Sequence, residues 1–184
     1  MKLMEKAQHF LLYSLSFYIL EPLFLSGRWR VREGAKERLQ PAVLKLHEVF
    51  EDSQRFFERI NMCAACDGSC CHGDFNRFSV LDHVAHLACG AADQPVWGYR
   101  LYPWGSYEFN RNDEGLCPVL QKGAGCAIEF RLRPAVCIWW ICEPMDAAFT
   151  AEQKRYLQQL RQKIDAVHWQ FVRVLLCGGM ERVG

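Results

Sequence analysis

Ten cysteines occur in 184 residues, and eight of them fall into two groups. Cys63, Cys66, Cys70 and Cys71 lie within the run CAACDGSCC, and Cys117, Cys126, Cys137 and Cys142 lie within GLCPVLQKGAGCAIEFRLRPAVCIWWIC. A Cys-x-x-Cys turn lets two thiolates converge on one metal, and a nearby glycine lets the backbone curl and aim N–H groups at sulfur. Gly68 and Gly125 stand beside the cysteines as this requires. Thiolate-only ligation selects soft or borderline centres, which favours iron–sulfur clusters and zinc and excludes magnesium and calcium. Zinc usually takes paired Cys-x-x-Cys knuckles or adds histidine ligands, and only Cys63 and Cys66 form such a pair. The uneven spacing of the other six resembles an iron–sulfur site more than zinc knuckles. The expectation is therefore an iron–sulfur cluster, [4Fe–4S] first, with structural zinc as the alternative. Neighbouring side chains on extended backbone point to opposite sides, so Cys70 and Cys71 could serve two centres, or one could bind while the other packs.

Other residues gain meaning from these thiols. A four-thiolate centre is anionic, so Arg133 is expected to contact the cofactor and offset its charge, with Arg131 nearby, the alternative being solvated arginine before a proline turn. Trp139, Trp140 and Ile141, between Cys137 and Cys142, would exclude water, or they could be plain core. His72 follows Cys71 and could ligate, and His83 and His86 lie three apart on a helix. These histidines are expected at the surface or around the site, and Cys89 and Cys177 are expected to be small buried apolar residues. No Ser-His-Asp order, nucleophile elbow or phosphate loop is present,.

The arrangement Cys63-x2-Cys66-x3-Cys70-Cys71, then Gly115-Leu116-Cys117-Pro118, Gly125-Cys126-x-Ile128, Arg133-Pro134-x-x-Cys137 and Cys142 resembles the YkgJ-type cysteine-cluster family. That family is described as a zinc- or iron-chelating domain with a CxxCxxCC signature. The likeness covers roughly residues 60 to 143, and the joint occurrence of the pieces is more specific than any one. This chain has three residues before the Cys70–Cys71 pair where the signature implies two. The resemblance implies metal binding by the matching cysteines and no settled reaction. Flagellin lysine methylases carry a similar cysteine set and an iron–sulfur cluster. This chain is short for a methylase and has no glycine-rich cofactor loop,. A protein-modifying enzyme organised by the metal is thus a further alternative to electron transfer, metal handling or an accessory role.

Helices must position such a site. From Pro41 to Ile60 the apolar residues Val43, Leu46, Phe50, Phe57 and Ile60 recur at helical spacing, with Pro41 expected in the first turn,. Ser79 with Asp82 predicts a capped helix over Val80–Cys89 ending at Gly90,. Thr150 with Gln153 predicts another over Ala151–Leu176, with a seam from Leu157 to Val174 and a stop at Gly178-Gly179,. The aromatic run VWGYRLYPWGSYEFN predicts short extended segments or a hairpin,. The expected fold is one mainly α domain over 1–184. It comprises an N-terminal apolar segment (1–34), an irregular cysteine-rich metal-bound core (60–143), flanking amphipathic helices and a C-terminal helix (150–178).

Composition narrows the partners. Twenty-two Lys+Arg against 21 Asp+Glu give a formal charge of +1, which offers no basic face for nucleic acid. A hydrophobic fraction of 51% with 13% aromatic residues argues against disorder. The segment FLLYSLSFYIL is apolar, but Glu5 stands in the would-be positive region and Glu21-Pro22 interrupts the run short of a spanning length,. It is read as a buried or partner-facing helix, with membrane-surface contact through Phe10–Leu25 as the alternative. Reduced thiols and the lack of a secretory signal point to the cytoplasm and against a disulfide framework. A protein partner is expected, its identity and the oligomeric state being open.

Overall fold

The computed structural model describes residues 3–60, 79–90, 99–101, 107–109, 120–121, 125–126 and 128–183. These are mainly helical. An N-terminal helix α1 (Leu3–Leu15) passes through a wide π turn (Ser16–Leu20) into α2 (Glu21–Leu25). The strand β1 (Trp29–Val31) and the long helix α3 (Glu33–Ile60) follow. Next come α4 (Val80–Ala88), the short strands β2 (Tyr99–Leu101), β3 (Tyr107–Phe109), β4 (Leu120–Gln121) and β5 (Gly125–Cys126), and a 3-10 turn at Phe130–Leu132. The chain closes with α5 (Val136–Trp139), α6 (Glu143–Ala148), α7 (Ala151–Val174), a second π turn (Leu175–Gly179) and β6 (Met180–Arg182).

The core forms where α3 meets α7. The stripe Leu39, Val43, Leu46 and Phe50 of α3 faces Leu160, Ile164, Val167 and Phe171 of α7, and both sets are buried. Helices α1 and α4 pack on the same seam, adding Leu12, Leu81 and Val84. Burying a Leu or Phe side chain contributes roughly 1.5–3 kcal/mol, so this seam dominates the packing energy. Helix α7 begins at a capping box in which the Thr150 hydroxyl accepts from Gln153 N–H and the Gln153 side chain accepts from Thr150 N–H. It ends at Gly178, whose φ of +82° suits glycine,. At Gly179 a Cβ would run into the Val174 carbonyl.

Strand β1 pairs antiparallel with β6, Trp29 opposite Arg182 and Val31 opposite Met180. That ladder ties the segment before α3 to the end of α7. Strands β2 and β3 form the expected hairpin within the aromatic run, Tyr99 opposite Phe109.

The start of α3 differs from the sequence reading. Helix α3 starts eight residues before Pro41, which lies inside it. The upstream turns add Ala35 and Leu39 to the buried stripe, and tertiary burial there outweighs the backbone hydrogen bond that proline cannot donate. Glu21-Pro22, which interrupts the apolar run, opens α2. Pro22 stands in the first turn of α2, where a missing N–H costs little,, and Glu21 is buried.

Candidate metal centre

Of the eight predicted ligands, Cys63, Cys66, Cys70, Cys71 and Cys117 lie outside the described residues, as does His72. The other three are described. Cys126 ends β5, Cys137 lies in α5, and Cys142 is the N-cap of α6. All three carry thiols rather than disulfides; Cys142 is buried, and Cys126 and Cys137 are half-buried. Among the described residues, no group of three or more His, Cys, Asp or Glu side chains is placed to hold a metal ion.

What the described residues do build is a frame around the α5 turn. Ser53 of α3, fully buried, donates its hydroxyl to the Ile138 carbonyl at 3.1 Å. Asp82 of α4 accepts from the Ala135 N–H at 2.8 Å. Asp82 also caps its own helix, its other carboxylate oxygen accepting from the Ser79 N–H and hydroxyl, both at 2.7 Å. The segment 61–78, with four of the cysteines, leaves the chain at the end of α3 and rejoins it at Ser79. Both flanking helices are therefore hydrogen-bonded to the turn that carries Cys137.

Arg133 fixes the next cysteine. Its Nε donates to the Ile128 carbonyl at 3.1 Å and its Nη2 to the Cys126 carbonyl at 3.2 Å. The guanidinium also lies 4.4 Å from the Phe130 ring centroid. Two of its N–H groups are thus committed to the backbone around Cys126, which makes Arg133 a positioning residue for that loop. Arg131 is ion-paired with Glu129 at the surface.

Burial controls the acid–base state of the surrounding groups. Burial raises the Asp82 carboxyl to about 6, and its three hydrogen-bond donors pull the other way. His86, expected at the surface or around the site, is buried, only 5% exposed. Burial, helped by the neighbouring His83 and His47, lowers it to about 4, and the Leu132 carbonyl opposes the shift. Burial lowers His83 and His47 as well. Neutral histidines can bind metals, but no three-ligand set including them occurs among the described residues.

The remaining cysteines separate. Cys89 is half-buried, donates its thiol to the His86 carbonyl at 3.4 Å, and packs with Cys126 against Ile128 and Leu132. That Cys89 shares an apolar cluster with a predicted ligand was not legible in the sequence, because it takes long-range packing to create it. Cys177, expected to be buried, is exposed, because the glycine-rich π turn at the end of α7 carries it out of the helical seam.

Trp139, Trp140 and Ile141 are half-buried rather than sealed. An open cleft of about 270 Å³ lies beside Trp139 and Ile141, walled by Leu157 and Arg161 of α7. The Arg161 guanidinium lies 5.4 Å from the Trp139 ring centroid. Behind it is a polar group that sequence reading missed. His9 Nδ1 of α1 meets Asp165 Oδ2 of α7 at 2.7 Å, and His168 is fully buried with neither ring nitrogen hydrogen-bonded among the described residues. Burial, with His9 nearby, lowers His168 to about 3, and burial beside Asp165 raises the Tyr13 hydroxyl. In the sequence, Asp165 and His168 simply stand next to the seam residues Ile164 and Val167.

Compared with protein-family models, curated proteins and solved structures, the chain matches none.

Proposed function

We propose that this chain is a cysteine-cluster metal protein. In this reading Cys63, Cys66, Cys70, Cys71, Cys117, Cys126, Cys137 and Cys142 supply up to eight thiolates to iron–sulfur, with a [4Fe–4S] cluster first. The observation that carries the reading is the pair of bonds Ser53–Ile138 and Asp82–Ala135. They tie α3, about two turns before its end, and the start of α4 to the turn that bears Cys137,. Tying the elements that flank the 61–78 segment to this turn shortens the loops that a thiolate site would have to close. The donor set is all sulfur, as iron–sulfur and structural zinc both require.

A bound cluster would supply one-electron exchange. The chain's own residues would set its surroundings. Arg133 holds the Cys126 and Ile128 carbonyls and would bring a positive charge to an anionic site. Ile138, buried and flanked by the two hydrogen-bonded carbonyl and amide groups, excludes water behind Cys137. The role is electron transfer, metal handling or an accessory function toward a protein partner.

Two single substitutions test the assignment. Cys137→Ser, in the predicted set, and Cys177→Ser, exposed and outside it, are purified without oxygen and analysed for iron, zinc and sulfide. The reading expects loss of metal from the first and full retention in the second. Equal metal content in both variants overturns it. Colourless protein with stoichiometric zinc and no sulfide replaces the cluster with structural zinc.

A further inference from the structure

The N-terminal helical segment carries a broad apolar surface on the outside of the protein. Phe10 and Tyr18 are each 73% exposed, Met4 68%, Leu11 51%, and Phe17 and Ile19 45%. The geometry follows from the π turn, in which the Glu21 N–H bonds to the Ser16 carbonyl five residues back,. The wider turn keeps Leu12, Ser16, Leu20 and Glu21 facing the core and leaves Phe17, Tyr18 and Ile19 outward together. Between Lys6 and Glu21 the sequence holds one histidine and no Lys, Arg, Asp or Glu. That residue, His9, is turned inward to Asp165, so no charged side chain breaks the outer face.

The flanks are basic. Residues 1–32 carry Lys2, Lys6, Arg28, Arg30 and Arg32 against Glu5 and Glu21, a net +3, whereas the whole chain is +1, so the remainder carries −2. Arg30 and Arg32 engage Glu181, while Lys6 and Arg28 are exposed on either side of the apolar stretch in sequence. We propose that this face docks on an anionic phospholipid bilayer, its aromatic and aliphatic side chains entering the headgroup boundary and its basic flanks meeting lipid charge. Interfacial helices bind by this combination of apolar burial and attraction to anionic lipid. Among the described residues no helix is long and apolar enough to cross a membrane, so the contact is with the surface. A second copy of the chain fits less well, because a two-fold interface through this face would bring like-charged flanks together, whereas a bilayer offers the opposite charge.

The test uses the full chain and is independent of metal content. Flotation with phosphatidylcholine vesicles containing roughly one-third phosphatidylglycerol is compared with pure phosphatidylcholine at low and high salt. The protein is expected to float with the anionic vesicles, to be released by salt, and to bind pure phosphatidylcholine weakly. The double variant Phe10→Ser/Tyr18→Ser changes two mainly exposed side chains, and its helicity is checked by circular dichroism. It should bind on the order of tenfold more weakly. Lys6→Glu/Arg28→Glu, which leaves the apolar face intact, should lose the preference for anionic lipid. Absence of wild-type binding, unchanged binding by both variants, or a solution dimer that Phe10→Ser/Tyr18→Ser dissociates would each overturn the proposal.

Discussion

Asp82 Oδ1 accepts the backbone N–H of Ala135 at 2.8 Å, joining two helical turns 53 residues apart in sequence. One carboxylate therefore both caps α4 and holds the turn before Cys137. Asp82→Ala would remove the reciprocal half of the capping box, the Ser79 hydroxyl still accepting from the residue 82 N–H, and leave the Ser79 and Ala135 amides without their acceptor. Orphaning a buried donor costs about 1–3 kcal/mol, so a loss of roughly 1–3 kcal/mol is expected in urea unfolding. Asp82→Asn keeps the shape and should lose less. Equal stability of wild type and Asp82→Ala would show that the bond does not hold the turn.

Arg133 bridges the Cys126 and Ile128 carbonyls with a planar fork that lysine cannot reproduce,. Arg133→Lys keeps the charge and gives up one of the two bonds. Groups that orient metal ligands typically cost 10–100-fold in affinity when replaced. Metal loss to a chelator should therefore be about tenfold faster in Arg133→Lys and faster still in Arg133→Gln. If lysine restores the wild-type rate, charge alone is what Arg133 supplies.

Acid should weaken the fold through its buried histidines. His168 and His86 titrate at about 3 and about 4 in the folded protein, whereas the unfolded chain takes up those protons near 6.5. Stability from these groups is complete above about pH 6.5 and falls as pH drops, by at most roughly 1.4 kcal/mol per pH unit for each histidine. Asp82 acts oppositely: its folded value of about 6 lies above the ordinary 3.8, so acidification between those values stabilises the fold and offsets about one histidine. Because burial lowers His83 and His47 as well, the net slope should be at least that of one histidine, and His168→Leu should reduce it. Urea midpoints that stay constant or rise on going from about pH 7 to 4.5 would contradict this.

The turn after α7 depends on a missing side chain. At Gly179 a Cβ would strike the Val174 carbonyl, which is backbone and cannot rotate away. Gly179→Ala should cost about 1–3 kcal/mol and loosen the pairing of β6 with β1, seen as faster amide exchange at Val183, whose N–H donates to the Arg28 carbonyl. Unchanged exchange there would mean the turn adjusts freely.

The capped helices were legible in the sequence because capping is local: Ser79 with Asp82, and Thr150 with Gln153, each act within four residues. The hairpin was legible for the same reason. The start of α3 was not, since Ala35 and Leu39 are too sparse to mark a stripe until α7 covers them. The second role of Asp82, the burial of His86, the pairing of His9 with Asp165 and the packing of Cys89 and Cys126 on one apolar cluster all arise from long-range packing. No local pattern encodes them. The eight-cysteine site was proposed from spacing, and Cys126, Cys137 and Cys142 are the members within the described residues.

The metal assignment is tested most directly by elemental and sulfide analysis of the native chain purified without oxygen, together with its visible absorption. The account predicts brown protein with iron and acid-labile sulfide in equal amounts, about four of each per chain for one [4Fe–4S] centre. Colourless protein holding neither iron nor zinc would contradict it.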